Sequence, residues 1–141
     1  MQATDVPPGF EPTDGGRVLV RRDARARAAA LRLDTVERAF AAPAAARAQW
    51  GGRFKALARL DDAQGRVFVK RWDYDRLEVW LRGVVKWNFP VFSGLRELDN
   101  LVALAGAGLP VPRVLAAGEE TRGLRRRSFV ALEALEGVPL D

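Results

Sequence analysis

Two side chains in this sequence have the types and setting needed to grip a phosphate. Lys70 closes the short apolar run Arg66-Val67-Phe68-Val69-Lys70-Arg71-Trp72. Successive side chains in a strand point to opposite faces, so Phe68 and Lys70 share one face and Val67 and Val69 the other. An ammonium group held on the inner face of a strand needs an anionic partner. Further along, residues 95–105 have helical spacing, and at about 100° per residue Leu98, Leu101, Val102, Leu104 and Ala105 define an apolar arc. Arg96, Asp99 and Asn100 fall outside that arc and Glu97 falls within it, which aims this one carboxylate of the helix at the body of the domain. A lysine and a glutamate meeting on inner faces can hold a nucleotide: the ammonium contacts the α- and β-phosphates and the carboxylate fixes the ammonium. The same pair also fits an ordinary half-buried ion pair, so on these two residues alone both readings stay open.

Composition removes several other chemistries. The 141 residues contain no cysteine and no histidine, so there is no disulfide framework, thiolate nucleophile, cysteine metal site or imidazole base. Serine-histidine, cysteine-histidine and zinc hydrolase readings fail on that ground. With 48% apolar residues the chain is long enough for one domain with a real core. A formal charge of +5 implies attraction to phosphates, whether on nucleotides, nucleic acid or anionic lipid heads. The first residues lack a basic stretch followed by an apolar one, and no run approaches the roughly 20 apolar residues of a membrane span. The chain reads as cytoplasmic, with peripheral contact at a membrane surface left open.

The elements that would position Lys70 and Glu97 follow from turn and capping signals. Residues 1–16, rich in Pro, Gly and acids, read as a flexible arm, and residues 17–141 as one lobe. Residues 17–22 read as a short strand, and the arginines Arg21, Arg22, Arg25, Arg27 and Arg32 as an anion patch or, the favoured reading, a solvated face with no chemistry assigned. Asp34 can cap a helix running to Pro43, with Glu37 completing a capping box. Residues 44–50 fit either a helix or a first strand. Residues 53–60 alternate as a strand, and Asp61-Asp62-Ala63-Gln64-Gly65 reads as a hairpin turn leading into the lysine strand. Asp73-Tyr74-Asp75 reads as a polar break before an amphipathic helix over 76–89 that carries Leu77, Trp80, Leu81, Val84 and Val85 on one side. Ser93 and Gly94 precede the glutamate helix, and Gly106-Ala107-Gly108 ends it. Two more strands are expected over 111–118 and 124–135, with a linker after them. The order is strand, strand, helices, strand, strand, an α+β lobe with an antiparallel sheet packed on helices.

That order of elements, with Phe68-Val69-Lys70, Leu95-Arg96-Glu97-Leu98-Asp99-Asn100-Leu101, Gly108-Leu109-Pro110-Val111-Pro112 and Ser128-Phe129-Val130, resembles the lipopolysaccharide kinase (Kdo/WaaP) family over about residues 50–140. The resemblance implies the N-terminal lobe of a protein-kinase-like fold, with ATP as phosphoryl donor and a sugar of the lipid-linked core as acceptor on the cytoplasmic side of the inner membrane. It makes Lys70 the phosphate-binding lysine and Glu97 its helix partner. Leu132-Glu133-Ala134-Leu135 is similar to a kinase hinge, where backbone groups of Glu133 and Leu135 would bond the adenine edge. Gly51-Gly52 is the candidate phosphate-covering turn.

Two departures from the family pattern bear on the site. Phe68 stands where a small residue usually roofs the adenine, and Gly51-Gly52 lacks the full glycine-loop pattern. A third bears on activity. The catalytic base and the residues that hold Mg2+ belong, by the resemblance, to a C-terminal lobe absent from these residues, so the expectation is no turnover by this chain alone. The alternatives are another kinase-like phosphotransferase for small molecules, a catalytically dead lobe kept for protein contacts, and a basic nucleic-acid module presenting Arg53, Lys55 and Arg59. The last lacks any helix-turn-helix, zinc or aromatic-strand motif, so no nucleic-acid partner is expected. Trp80 and its neighbours on the 76–92 segment either rest on the membrane or pack against protein.

Overall fold

The computed structural model describes residues 6–41, 46–47, 55–86 and 93–133. Seven strands form one antiparallel sheet: β1 (Phe10–Thr13), β2 (Val18–Arg21), β3 (Ala46–Arg47), β4 (Lys55–Asp62), β5 (Gly65–Asp75), β6 (Val114–Arg122) and β7 (Arg125–Glu133). Their order across the sheet is β1-β2-β6-β7-β5-β4-β3, which puts the lysine strand between β7 and β4. Among the described residues four α-helices accompany it: α1 (Arg25–Ala30), α2 (Val36–Ala41), α3 (Arg76–Lys86) and α4 (Gly94–Gly106).

The alternation read from the sequence sorts the core into two layers. On one face Val67, Val69, Ala58, Phe129 and Ala131 pack with Val20, Ala28, Leu33, Val36 and Ala39, so that α1 and α2 cover it. On the other, Trp72, Tyr74, Val130, Leu132 and Val114 pack with Leu98 of α4 and Val79 of α3. Leu98 is fully buried and anchors α4, so its truncation to Ala should cost about 2–5 kcal/mol.

Three local expectations are corrected and one open choice is decided. The arm expected over 1–16 contains strand β1 over Phe10–Thr13, because Phe10 is buried against Leu19 and β1 pairs with β2. The polar break at 73–75 is strand, since the adjacent arginines of β7 give each residue a ladder partner: Asp73 opposite Arg127, Tyr74 opposite Arg126, Asp75 opposite Arg125. Asp75 then caps α3, its carboxylate accepting from the N–H groups of Leu77 (2.8 Å) and Glu78 (3.2 Å). The cap of α2 is Thr35, whose hydroxyl accepts from the Arg38 N–H at 3.0 Å, while Asp34 pairs with the Arg38 side chain. Of the two options for residues 44–50, Ala46–Arg47 is strand, paired with β4.

Of the N-terminal arginines, Arg22, Arg25 and Arg32 are exposed as expected, and Arg21 and Arg27 are not part of a solvated face. Arg27 is nearly sealed, its side chain 7% accessible. Arg21 donates to the Val114 carbonyl at 2.8 Å and lies over the Phe10 ring. The sequence shows their charge but not the carboxylates and carbonyls that fold onto them.

Candidate active site

Lys70 is at mid-strand in β5, opposite Val130 of β7 and Leu57 of β4. Val130 is buried and Leu57 half-buried, and Lys70 itself is half-buried. Glu97 is in the first turn of α4. The Lys70 Nζ donates to Glu97 Oε1 at 2.9 Å, with 26% and 27% of the two side chains accessible. The face chosen by counting 100° steps is therefore the face that meets the lysine. An ammonium group carries three donors, and among the described residues one carboxylate engages it. Donor capacity remains for an oxyanion.

Three contacts fix where Glu97 arrives. Ser93 caps α4, its hydroxyl accepting from the Arg96 N–H at 3.2 Å. Gly94 lies so close to β7 that a Cβ added there would sit 2.0 Å from the Phe129 carbonyl oxygen, a backbone atom that cannot swing away. The buried Ser128 hydroxyl accepts from the Gly94 N–H at 2.7 Å and donates to the Gly118 carbonyl at 3.1 Å, joining α4, β7 and β6. Sequence reasoning noticed Ser93-Gly94 as a helix start and missed this role. The available signal was a glycine placed immediately inside a strong cap, where a helix gains nothing from glycine unless something approaches it closely.

The remaining predicted site residues divide into placed and unplaced. Phe68, two residues before the lysine, lies on the same face, half-buried, opposite Leu132 of β7. Glu133 ends β7 opposite Val67, and its N–H donates to the Arg113 carbonyl at 2.9 Å. Its side chain accepts from Arg27 at 2.7 Å. Gly51, Gly52 and Leu135 lie outside the described residues.

Charges elsewhere are structural. The Arg27 guanidinium, bonded to Asp62, is held above the ordinary arginine range, and Asp62 is correspondingly held below the ordinary carboxylate range by that bond. Glu120 is likewise lowered, first by its bond from Arg127. Burial lowers the Arg71 guanidinium, which lies on the face opposite Lys70 and donates to the carbonyls of Ala39 and Phe40 at the end of α2. A cleft of about 230 Å³ opens between α4 and the β1-β2 hairpin, lined in part by Leu101, Ala105, Arg21 and Pro112. It does not include Lys70 or Glu97 and is a separate feature. Among the described residues there is no group of three or more His, Cys, Asp or Glu side chains that could hold a metal ion.

The sequence profile of the lipopolysaccharide kinase (Kdo/WaaP) family matches residues 51–139, well over half of the chain. The chain belongs to that family. The match takes in β5, α4 and β7, and therefore the lysine, the glutamate and the strand between their neighbours. Residues 6–47, including β1, β2, α1 and α2, lie before it. No curated protein and no solved structure matches the chain significantly. Membership of a kinase family and the antiparallel sheet with helices agree with the α+β, kinase-like small lobe expected from the sequence. No helix among the described residues is long and apolar enough to cross a membrane.

Proposed function

We propose that this chain is the ATP-binding lobe of a kinase that phosphorylates a sugar of the lipopolysaccharide core or a related lipid-linked sugar. The observation that carries the reading is the 2.9 Å contact between a lysine on the inner face of β5 and the carboxylate of α4, with about a quarter of each side chain open to solvent. Lys70 holds the α- and β-phosphates of ATP and Glu97 keeps its ammonium in place. The backbone at Glu133 and Leu135 takes the adenine edge, Phe68 shapes its roof, and Gly51-Gly52 covers the phosphates. The acceptor follows from the family to which the chain belongs. The groups that hold Mg2+ and the base that takes the acceptor proton are contributed from a C-terminal lobe, so residues 1–141 alone bind nucleotide without turnover.

The same reading places the lobe at the cytoplasmic face of the inner membrane. In α3, Val79 is buried and Leu77, Trp80, Leu81 and Val84 are exposed, with Trp80 54% accessible. The helix begins beside Leu124, whose carbonyl accepts from the Arg76 N–H at 2.7 Å. That is the end of β7 opposite Glu133, about 26 Å away for a nine-residue strand. A lipid surface fits an outward stripe with tryptophan in it.

An acyl phosphate derivative of ATP, which transfers its acyl group to a lysine amine beside bound phosphates, tests the nucleotide reading. Labelling is expected at Lys70, suppressed by excess ATP. Label distributed over Lys55, Lys70 and Lys86 irrespective of ATP would overturn it. For the membrane reading, sedimentation with anionic liposomes should fall on Trp80→Ser, and equal sedimentation would remove that part of the proposal.

A further inference from the structure

Arg27 stands outside the family match, yet it makes the most complete ion-pair arrangement among the described residues. Its Nε and Nη2 donate to the two oxygens of Asp62 at 2.7 and 2.9 Å, a bidentate fork, and its Nη1 donates to Glu133 Oε1 at 2.7 Å. Asp62 in turn accepts from the N–H groups of Gln64 (2.9 Å) and Gly65 (3.1 Å), so the fork holds the β4-β5 turn. Glu133 is also approached by Arg113 at 3.9 Å, and Arg113 itself pairs with Asp23 just before α1. A single side chain from the N-terminal segment thus fixes the two strand ends that flank the place where the chain leaves β7.

An arginine enclosed this far is expensive to keep unless each of its donors is satisfied, and its carboxylates would be stranded without it. Among the described residues Arg27 bonds neither Lys70 nor Glu97, and the predicted site residue it does bond is Glu133. We infer that Arg27 is a positioning residue for the adenine edge, and that the segment 6–41 is a working part of the nucleotide site. This rests on the assignment of Glu133 to the adenine edge in the proposed function.

The test uses residues 1–141 with Arg27→Met and Arg27→Lys, beside Leu33→Ala as a core variant that destabilises the same face without touching the fork. Amide hydrogen exchange reads the brace directly. Arg27→Met should speed exchange about tenfold or more at Glu133, Gln64 and Gly65 relative to the rest of the sheet, and Arg27→Lys should fall between, since an ammonium cannot reproduce the fork. Leu33→Ala should raise exchange broadly without singling out those amides. Affinities for Mg-ATP and for inorganic tripolyphosphate then separate adenine from phosphate binding. Arg27→Met should weaken ATP about three- to tenfold and leave tripolyphosphate unchanged. Unaltered exchange at Glu133, or an unaltered ATP-to-tripolyphosphate ratio, overturns the inference. A wild-type chain with no preference for ATP over tripolyphosphate instead overturns the adenine-edge assignment itself.

Discussion

The two faces of β5 carry adjacent cations treated in opposite ways. Lys70 points towards α4, meets one carboxylate, and keeps about a quarter of its side chain accessible. Arg71 points towards α2 and is 7% accessible, with Phe40 against its guanidinium and backbone carbonyls as acceptors. Phe40 also lies under Arg127 and edge-on to Phe129. Arg71 is surrounded as an architectural cation would be, whereas Lys70 is held by one carboxylate and left partly open, as the proposed nucleotide role requires. The contrast teaches more than the pair alone, because an isolated half-buried lysine and glutamate is weak evidence of function. Here the alternative treatment is displayed one residue away.

Four experiments break or sharpen that contrast. The largest effect is expected from Gly94→Ala, where the new Cβ would collide with the Phe129 backbone and push α4 off the sheet. It should cost about 3 kcal/mol or more in urea unfolding and separate Glu97 from Lys70, while the Arg71 face stays packed. Lys70→Met comes next: ATP affinity should fall about 10- to 100-fold, the loss of a charge-assisted bond, with thermal stability changed by less than about 1 kcal/mol because the ion pair is partly exposed. A large stability loss with unchanged ATP binding would make Lys70 structural, like its neighbour. Arg71→Met should do the reverse, costing about 1–3 kcal/mol for the abandoned carbonyls without altering ATP affinity.

The smallest effect is in pH dependence. Asp62 and Glu120 have folded pKa values below their ordinary ones, held there first by bonds from Arg27 and Arg127 respectively. A lowered carboxylate contributes stability that is present above its unfolded value, near pH 4, and is lost as pH falls through the folded value. Melting temperature should therefore hold steady from about pH 5 to 8 and decline below about pH 4. The decline should be shallower in Arg27→Met, because Asp62 then loses the foremost of the bonds that hold its pKa down and keeps only those from the Gln64 and Gly65 N–H groups. An equally steep acid limb in that variant would show that Asp62 does not contribute.

Much of the site could be read before any coordinates. Period-two alternation assigned Lys70 to the same face as Phe68, and period-3.6 spacing assigned Glu97 to the inner arc of its helix; the two then met. Both are local regularities of backbone geometry. The reading failed where the deciding partner was distant. Phe10 looked like part of an arm until β2 gave it a neighbour, and Asp73-Tyr74-Asp75 looked like a break until Arg125, Arg126 and Arg127 came alongside. Arg27 looked solvated because nothing near it in sequence announces Asp62 or Glu133.

The sequence alone determined the alternation that faces Lys70 inward, the arc that aims Glu97, and the glycines and caps that punctuate the elements, because each depends on dihedral preferences within a few residues. Only the tertiary structure decided which cations are sealed and which stay open. That choice depends on carboxylates and carbonyls delivered by the sheet order from far along the chain, and their approach sets the desolvation each charge must meet.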